Sequence, residues 1–246
     1  MGRGVKLSDF KVLTFDCYGT LIDWESGIAR ALLPLSSQAP IQISREQLLQ
    51  TFAKHEVAQQ TETPAMPYAQ LLARVYTRLA GEWMLSVSSG AADAFGASIA
   101  DWPEFADSVS ALQYLKRHYR LVILSNVDRN SFGASNARLK VEFDAIYTAQ
   151  DIGSYKPDPR NFEYMLRHLD DDFGLQPSDV LHTAQSLFHD HTLANLFGVA
   201  SAWIDRRKQQ AGGATLPPSI IPGYNFRFED MAGMVGAHRR ELAERG

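Results

Sequence analysis

The chain has 246 residues, 45% of them hydrophobic and 21% charged, with a formal net charge of −4 at pH 7. That balance offers no basic field for nucleic acid or an anionic membrane surface, and no run of about 18 apolar residues could span a membrane. The only cysteine, Cys17, has no partner for an intramolecular disulfide, and the start, MGRGVKLSDF, lacks the apolar stretch of a secretory signal. Both features fit a cytoplasmic protein.

The first predicted element is a strand at Val12–Phe15, stopped by Asp16 and followed by a Gly19-Thr20 turn. Residues 24–101 read as helical. Ser44 and Gln47 have the spacing of a capping box, and Tyr68, Leu71, Leu72, Val75, Tyr76 and Leu79 mark one helix face. Residues 86–100, rich in Ser, Gly and Ala, read as a loose return. Strands follow at residues 121–124, 145–147, 180–183 and Ala200–Ile204. Helices are predicted at 161–169 and 190–197, and a surface helix at 229–244. Strands alternating with helices predict an α/β fold with a parallel sheet. The core would be residues 1–23 and 102–246, with a helical cap at 24–101 inserted after the first strand, placed to act as a lid.

Polar residues recur just beyond the strands. Asp16 follows the first, Ser125 and Asn126 the second, Lys156 lies after the third and Asp190 beyond the fourth. A strand-end aspartate is commonly a helix cap or turn residue. Four such sites at one edge of a parallel sheet, however, converge on the crevice where these sheets bind ligands. Two carboxylates, an ammonium, a hydroxyl and an amide suit a carboxylate nucleophile held ionised by a lysine.

The stretches FDCYGTLIDW, VILSNVD, SYKPDPRNF and SLFHDHTLANLFGVASAWIDR resemble, in order and spacing, the four motifs of the haloacid dehalogenase superfamily. The resemblance implies a Rossmann-like core. It makes Asp16 the nucleophile and Lys156 its partner, has Ser125 and Asn126 hold the substrate anion, and sets Asp190 beside the nucleophile. Phosphatases of this superfamily usually carry a second aspartate two residues after the nucleophile, and here that place is Tyr18. A phenol, with a reference pKa near 10, is poorly matched to general acid work at neutral pH. Ser186 stands where the phosphatases have another acid. The pattern is similar to the L-2-haloacid dehalogenase branch. That branch implies an aspartyl ester formed with a small 2-substituted (2-halo) carboxylic acid, then hydrolysed by water that Asp190 holds or activates. Tyr18, Thr20, Asn126, Ser186 and His189 would contact substrate, with no metal and no cofactor.

Departures from the branch are visible. It usually has an early cap arginine, whereas LLQTFAKHEVAQQ offers none and leaves Arg45, Arg74 and Arg78 as candidates. Leu187 replaces an asparagine, Gln185 a serine and Phe162 a tyrosine. A magnesium-dependent phosphatase, a ring-opening hydrolase of the azetidine-2-carboxylate type and a non-catalytic protein therefore stay open. The intact Asp16, Ser125, Lys156 and Asp190 speak against the last. The expected partner is a small carboxylic acid, not nucleic acid or membrane, and a homodimer is left open. His182, inside a strand, reads as a satisfied core residue. His189 and His191 do not share a helix face, which disfavours a metal site. Cys17 reads as packing, and Arg206, Arg207 and Lys208 as a solvated loop.

Overall fold

A computed structural model describes residues 4–210 and 212–245. Residues 1–3, 211 and 246, which fall in the predicted core, lie outside the described residues. Strand β1 (Val12–Phe15) is followed by helices α1 (Trp24–Ser36), α2 (Arg45–Glu62), α3 (Tyr68–Glu82) and α4 (Ser89–Ala97). The chain returns through α5 (Ser108–Leu115) to β2 (Arg120–Ser125), α6 (Arg129–Leu139) and β3 (Ala145–Thr148). Then come α7 (Ala149–Ile152), α8 (Arg160–Phe173), β4 (Val180–Ala184), α9 (Thr192–Leu196), β5 (Ala200–Ile204), β6 (Phe226–Phe228) and α10 (Met231–Ala243). The six strands form one sheet in the order β3-β2-β1-β4-β5-β6, and every pair is parallel. This is the α/β, Rossmann-like architecture.

Central strands bury both faces, which is why β1 and β2 read as apolar runs. Lying between β2 and β4, β1 delivers Asp16 to the ends of both neighbours. The turn behind it depends on Gly19, whose φ of +91° suits glycine.

The helical insert is built on local signals. Asp23 caps α1 by accepting from Ser26 N at 3.2 Å. The predicted capping box opens α2, with Ser44 N donating to Gln47 Oε1 at 2.9 Å and Gln47 N donating to Ser44 Oγ at 3.2 Å. Residues 86–100 are not a loose return. They form α4 and a 3-10 turn, Ser98–Asp101, with Ser88 Oγ capping Ala91 N. The small residues serve close packing instead: a Cβ on Gly96 would lie 2.3 Å from the carbonyl oxygen of Ala69 on α3.

Other expectations also change. The helix expected at 190–197 starts earlier, as a π-helical turn at Leu187–His191 capped by Ser186. The C-terminal helix buries Met231, Met234 and Val235, so it belongs to the core as well as the surface. Arg206 and Arg207 are not in a solvated loop. Arg206 donates from Nη1 to both carboxylate oxygens of Asp107 at 2.8 and 3.0 Å, and from Nη2 to Thr20 O at 2.8 Å. Arg207 pairs with Glu25 and Glu46 at 2.7 and 2.9 Å. Among the described residues, no helix is long and apolar enough to cross a membrane.

Candidate active site

At the carboxyl ends of β1, β2 and β4, Lys156 gathers the site. It is 1% exposed, and its Nζ spends its three protons on Asp16 Oδ1 (3.0 Å), Asp190 Oδ1 (2.6 Å) and Leu124 O (2.9 Å). An ammonium has three donors, so none is left over. The backbone of Lys156 is held in turn by Asn126, whose Oδ1 accepts from Lys156 N at 2.7 Å while its Nδ2 donates to Lys156 O at 3.1 Å. Thr20 Oγ1 donates to Asp16 Oδ2 at 2.7 Å and accepts from Gln185 N at 2.9 Å.

Behind this first ring stands His182. Its Nε2 donates to Asp190 Oδ1 at 2.9 Å, and its Nδ1 meets Thr14 Oγ1 at 2.8 Å. It is a satisfied core residue, as the sequence suggests, yet it also grips one of the candidate catalytic groups. His191 is bonded through both nitrogens. Nε2 donates to the Ala184 carbonyl at 3.0 Å, so Nδ1 accepts from Ser201 Oγ at 2.9 Å.

The charges divide unevenly. Burial raises the Asp16 pKa; Lys156 lowers it, Asp190 raises it again and Thr20 lowers it, with a net rise above the ordinary 3.8. Asp190 is also opposed by burial, but Lys156 and His182 overcome that and hold it well below the carboxylate range. Burial works against the Lys156 charge, and the two carboxylates outweigh it. Burial drives the Tyr18 phenol well above 10. Its hydroxyl is turned to α6, 2.8 Å from Ser135 Oγ, and its ring meets Trp102 edge-on. The thiol of Cys17, also pushed up by burial, lies in the apolar core.

A narrow cavity of about 30 Å³ opens over this group. Of the predicted residues, Asp16, Tyr18, Asn126, Lys156, Ser186 and His189 line it. Ser125, Thr20 and Asp190 stand behind its wall, buried. Four buried polar atoms near the strand ends have no partner among the described residues: Ser125 Oγ, Thr183 Oγ1, His189 Nε2 and Asp190 Oδ2. Such atoms are uncommon and call for a substrate or water to satisfy them. His189 is pressed by burial down to about 4, so its ring is neutral at pH 7.

Asn126 does more than line the cavity: its Oδ1 and one Nδ2 proton hold the Lys156 backbone, so the side chain also braces the lysine and keeps its second Nδ2 proton. None of the candidate cap arginines lines the cavity. Arg45 and Arg74 are exposed, and Arg78 pairs with Glu62. What the cap contributes instead is Trp24, Glu56, Gln60 and Tyr68, with Val127 and Thr215 completing the wall. Sequence reasoning passed over Glu56 and Gln60. Their signal is positional, because they continue the buried stripe of Leu49, Phe52 and Ala53 along α2 at spacings of three and four.

Asp16 already accepts from Lys156 and Thr20, and Asp190 keeps one unpartnered oxygen inside a wholly buried side chain. Among the described residues no group of three His, Cys, Asp or Glu side chains could hold a metal ion.

Comparison with known proteins gives the family. The profile of the haloacid dehalogenase-like hydrolases matches residues 10–183. The (S)-2-haloacid dehalogenase 4A of Burkholderia cepacia is 25% identical over 208 residues, covering 82% of this chain and 85% of that protein. An (S)-2-haloacid dehalogenase of Pseudomonas sp. (strain YL) is 34% identical over 110 residues, 44% of each chain. The L-2-haloacid dehalogenase of Xanthobacter autotrophicus superposes with a TM-score of 0.77 at 18% identity, over 94% of this chain and 98% of that one. At that identity the superposition speaks for the fold alone.

Proposed function

We propose, from the premise that the chain belongs to the haloacid dehalogenase-like hydrolases and is a hydrolase of that type, that Asp16 displaces a leaving group from the 2-carbon of a small carboxylic acid. One Asp16 oxygen attacks that carbon, the bond to the leaving group breaks with its electron pair, and an aspartyl ester forms. Water then attacks the ester's acyl carbon. Asp190 accepts a hydrogen bond from that water through Oδ2, the oxygen that has no protein partner. Collapse of the adduct breaks the bond between the acyl carbon and the 2-oxygen; that oxygen takes one proton of the water, the other passes to solvent, and the 2-hydroxy acid leaves with the Asp16 carboxylate restored. Lys156 balances charge throughout: it spans both carboxylates before the attack and stays with Asp190 while Asp16 is esterified.

The observation that carries this reading is Tyr18. The residue two after the nucleophile is a phenol, bonded to α6 and held neutral. No acid stands there to protonate a leaving alcohol, which favours a halide, a group that departs without a proton. The insert at residues 24–101 acts as a cap that excludes water from the attack. Its Trp24, Glu56, Gln60 and Tyr68 on the cavity wall support that role.

The test is a panel of 2-chloropropionate, 4-amino-2-chlorobutyrate and p-nitrophenyl phosphate, with and without EDTA. The expected result is chloride release from at least one of the chloro acids, unchanged by EDTA. Phosphate release that EDTA abolishes and magnesium restores would replace this reading with a phosphatase.

A further inference from the structure

Glu56 is a carboxylate in the wrong place for a simple haloacid. It is 2% exposed, lines the same cavity as Asp16, and comes from α2, on the cap side. Its one hydrogen bond among the described residues is from Tyr68, whose hydroxyl donates to Oε1 at 2.6 Å. Among the described residues no lysine, arginine or histidine pairs with it, and Lys156, the one cation among the described residues that line the cavity, has all three protons committed elsewhere. With Asp16, Asp190 and Lys156 ionised, the site already carries a net negative charge, and an ionised Glu56 in the same cavity adds a second. A bare 2-haloacid would bring a third negative charge into a site with little water. Buried charges of one sign are costly unless a partner of the other sign arrives.

We infer that Glu56 is a specificity residue, and that the substrate is a 2-substituted carboxylic acid that also carries a basic amine, which pairs with Glu56 across the cavity from Asp16. The inference rests on the proposed attack at carbon only for the word "2-substituted"; the amine follows from Glu56 alone. A zwitterion adds no net charge to the cavity and gives the Glu56 carboxylate a cation. The cap thus supplies an anion where the related branch is expected to place an arginine. Gln60, one turn along α2 and on the same wall, offers a neutral amide beside it.

Burial raises Glu56 to about 7, so its charge can be switched within an accessible range. The titratable groups around it are Tyr68 and Tyr155, with Tyr18, Asp16, Lys156 and His189 across the cavity. The phenols and Lys156 stay protonated, and His189 stays neutral, between pH 6 and pH 8. Any contribution from Asp16 is read separately in the Glu56→Gln protein.

The experiment is calorimetric titration of butyrate and of 2-, 3- and 4-aminobutyrate into the wild-type protein and into Glu56→Gln, at pH 6 and pH 8. These acids lack a leaving group, so binding is measured without turnover. In the wild type, at least one aminobutyrate should bind more tightly than butyrate at pH 8. Its affinity should rise about tenfold from pH 6 to pH 8, as the ionised fraction of a group with a pKa near 7 goes from about one tenth to about nine tenths. In Glu56→Gln both the preference and the rise should vanish. Three results would overturn the inference: no aminobutyrate ahead of butyrate at pH 8, an affinity that falls with pH because a protonated Glu56 donates to the ligand's carboxylate, or a preference that survives in Glu56→Gln. Amine-dependent binding without carbon–halide cleavage would instead leave Glu56 in its role and remove the proposed reaction.

Discussion

Lys156 is one cation shared by two buried carboxylates, and it sits closer to Asp190 than to Asp16, at 2.6 against 3.0 Å. His182 strengthens the bias by adding a second donor to the same Asp190 oxygen. Asp190 is therefore the permanent anion, and Asp16 titrates above the ordinary carboxylate value. The sign for catalysis follows directly. The attacking form is ionised, so kcat/KM falls as the pH drops through the raised Asp16 pKa. Replacing Lys156 by Ala removes the cation that opposes burial, and the acid limb of the pH–rate profile should move to higher pH. Breaking this buried pair should also cost about 3–5 kcal/mol in a urea titration. An acid limb that stays in place, with activity intact, would remove Lys156 from the site. Asp16→Asn should lower kcat by on the order of 10⁴ while leaving the far-UV circular dichroism unchanged. Wild-type turnover in that variant would end the nucleophile assignment.

Helix α2 shows a stability cost set against a proposed role. A group whose folded pKa is raised favours the native state below its unfolded pKa, and that advantage is lost as pH rises through the folded value. Glu56 moves from 4.5 to about 7, so above pH 7 its charge opposes folding. Glu56→Gln should therefore stabilise the protein at pH 8, by at most about 3 kcal/mol, with the gain shrinking towards zero near pH 4.5. Urea midpoints at the two pH values measure this, and equal gains at both would contradict the burial of the charge. Between α3 and α4 the pressure is steric. The Ala69 carbonyl packs against Gly96, so Gly96→Val should force the helices apart and cost about 1–3 kcal/mol. These elements also show what was legible beforehand. The strands and the α2 capping box could be read because apolar runs and local hydrogen bonds are sequence-local signals. Helix α4 was not legible, because small residues suit a loop and a tight helix contact equally. Asp16, Lys156 and Asp190 were legible as polar stops at strand ends. Glu56 and the His182 hold on Asp190 were not, since a buried polar residue shows its meaning only when the groups facing it are known.

For the whole molecule, the parallel sheet brings three strand ends to one crevice, and the helical insert after β1 supplies Trp24, Glu56, Gln60 and Tyr68 to the cavity there. The account built on that arrangement is carbon chemistry through an ester of Asp16. Its central claim can be tested by following one oxygen atom. In an ester formed at carbon, water attacks the acyl carbon of Asp16, so its oxygen enters the protein in the first turnover. In a phosphoryl intermediate, water attacks phosphorus and Asp16 keeps both its oxygens. The measurement is a single turnover of an accepted substrate in oxygen-18 water with enzyme in excess, followed by mass spectrometry of the peptide that contains Asp16. The account predicts label in Asp16 and an unlabelled first product; label in the product alone, with Asp16 unlabelled, would contradict it.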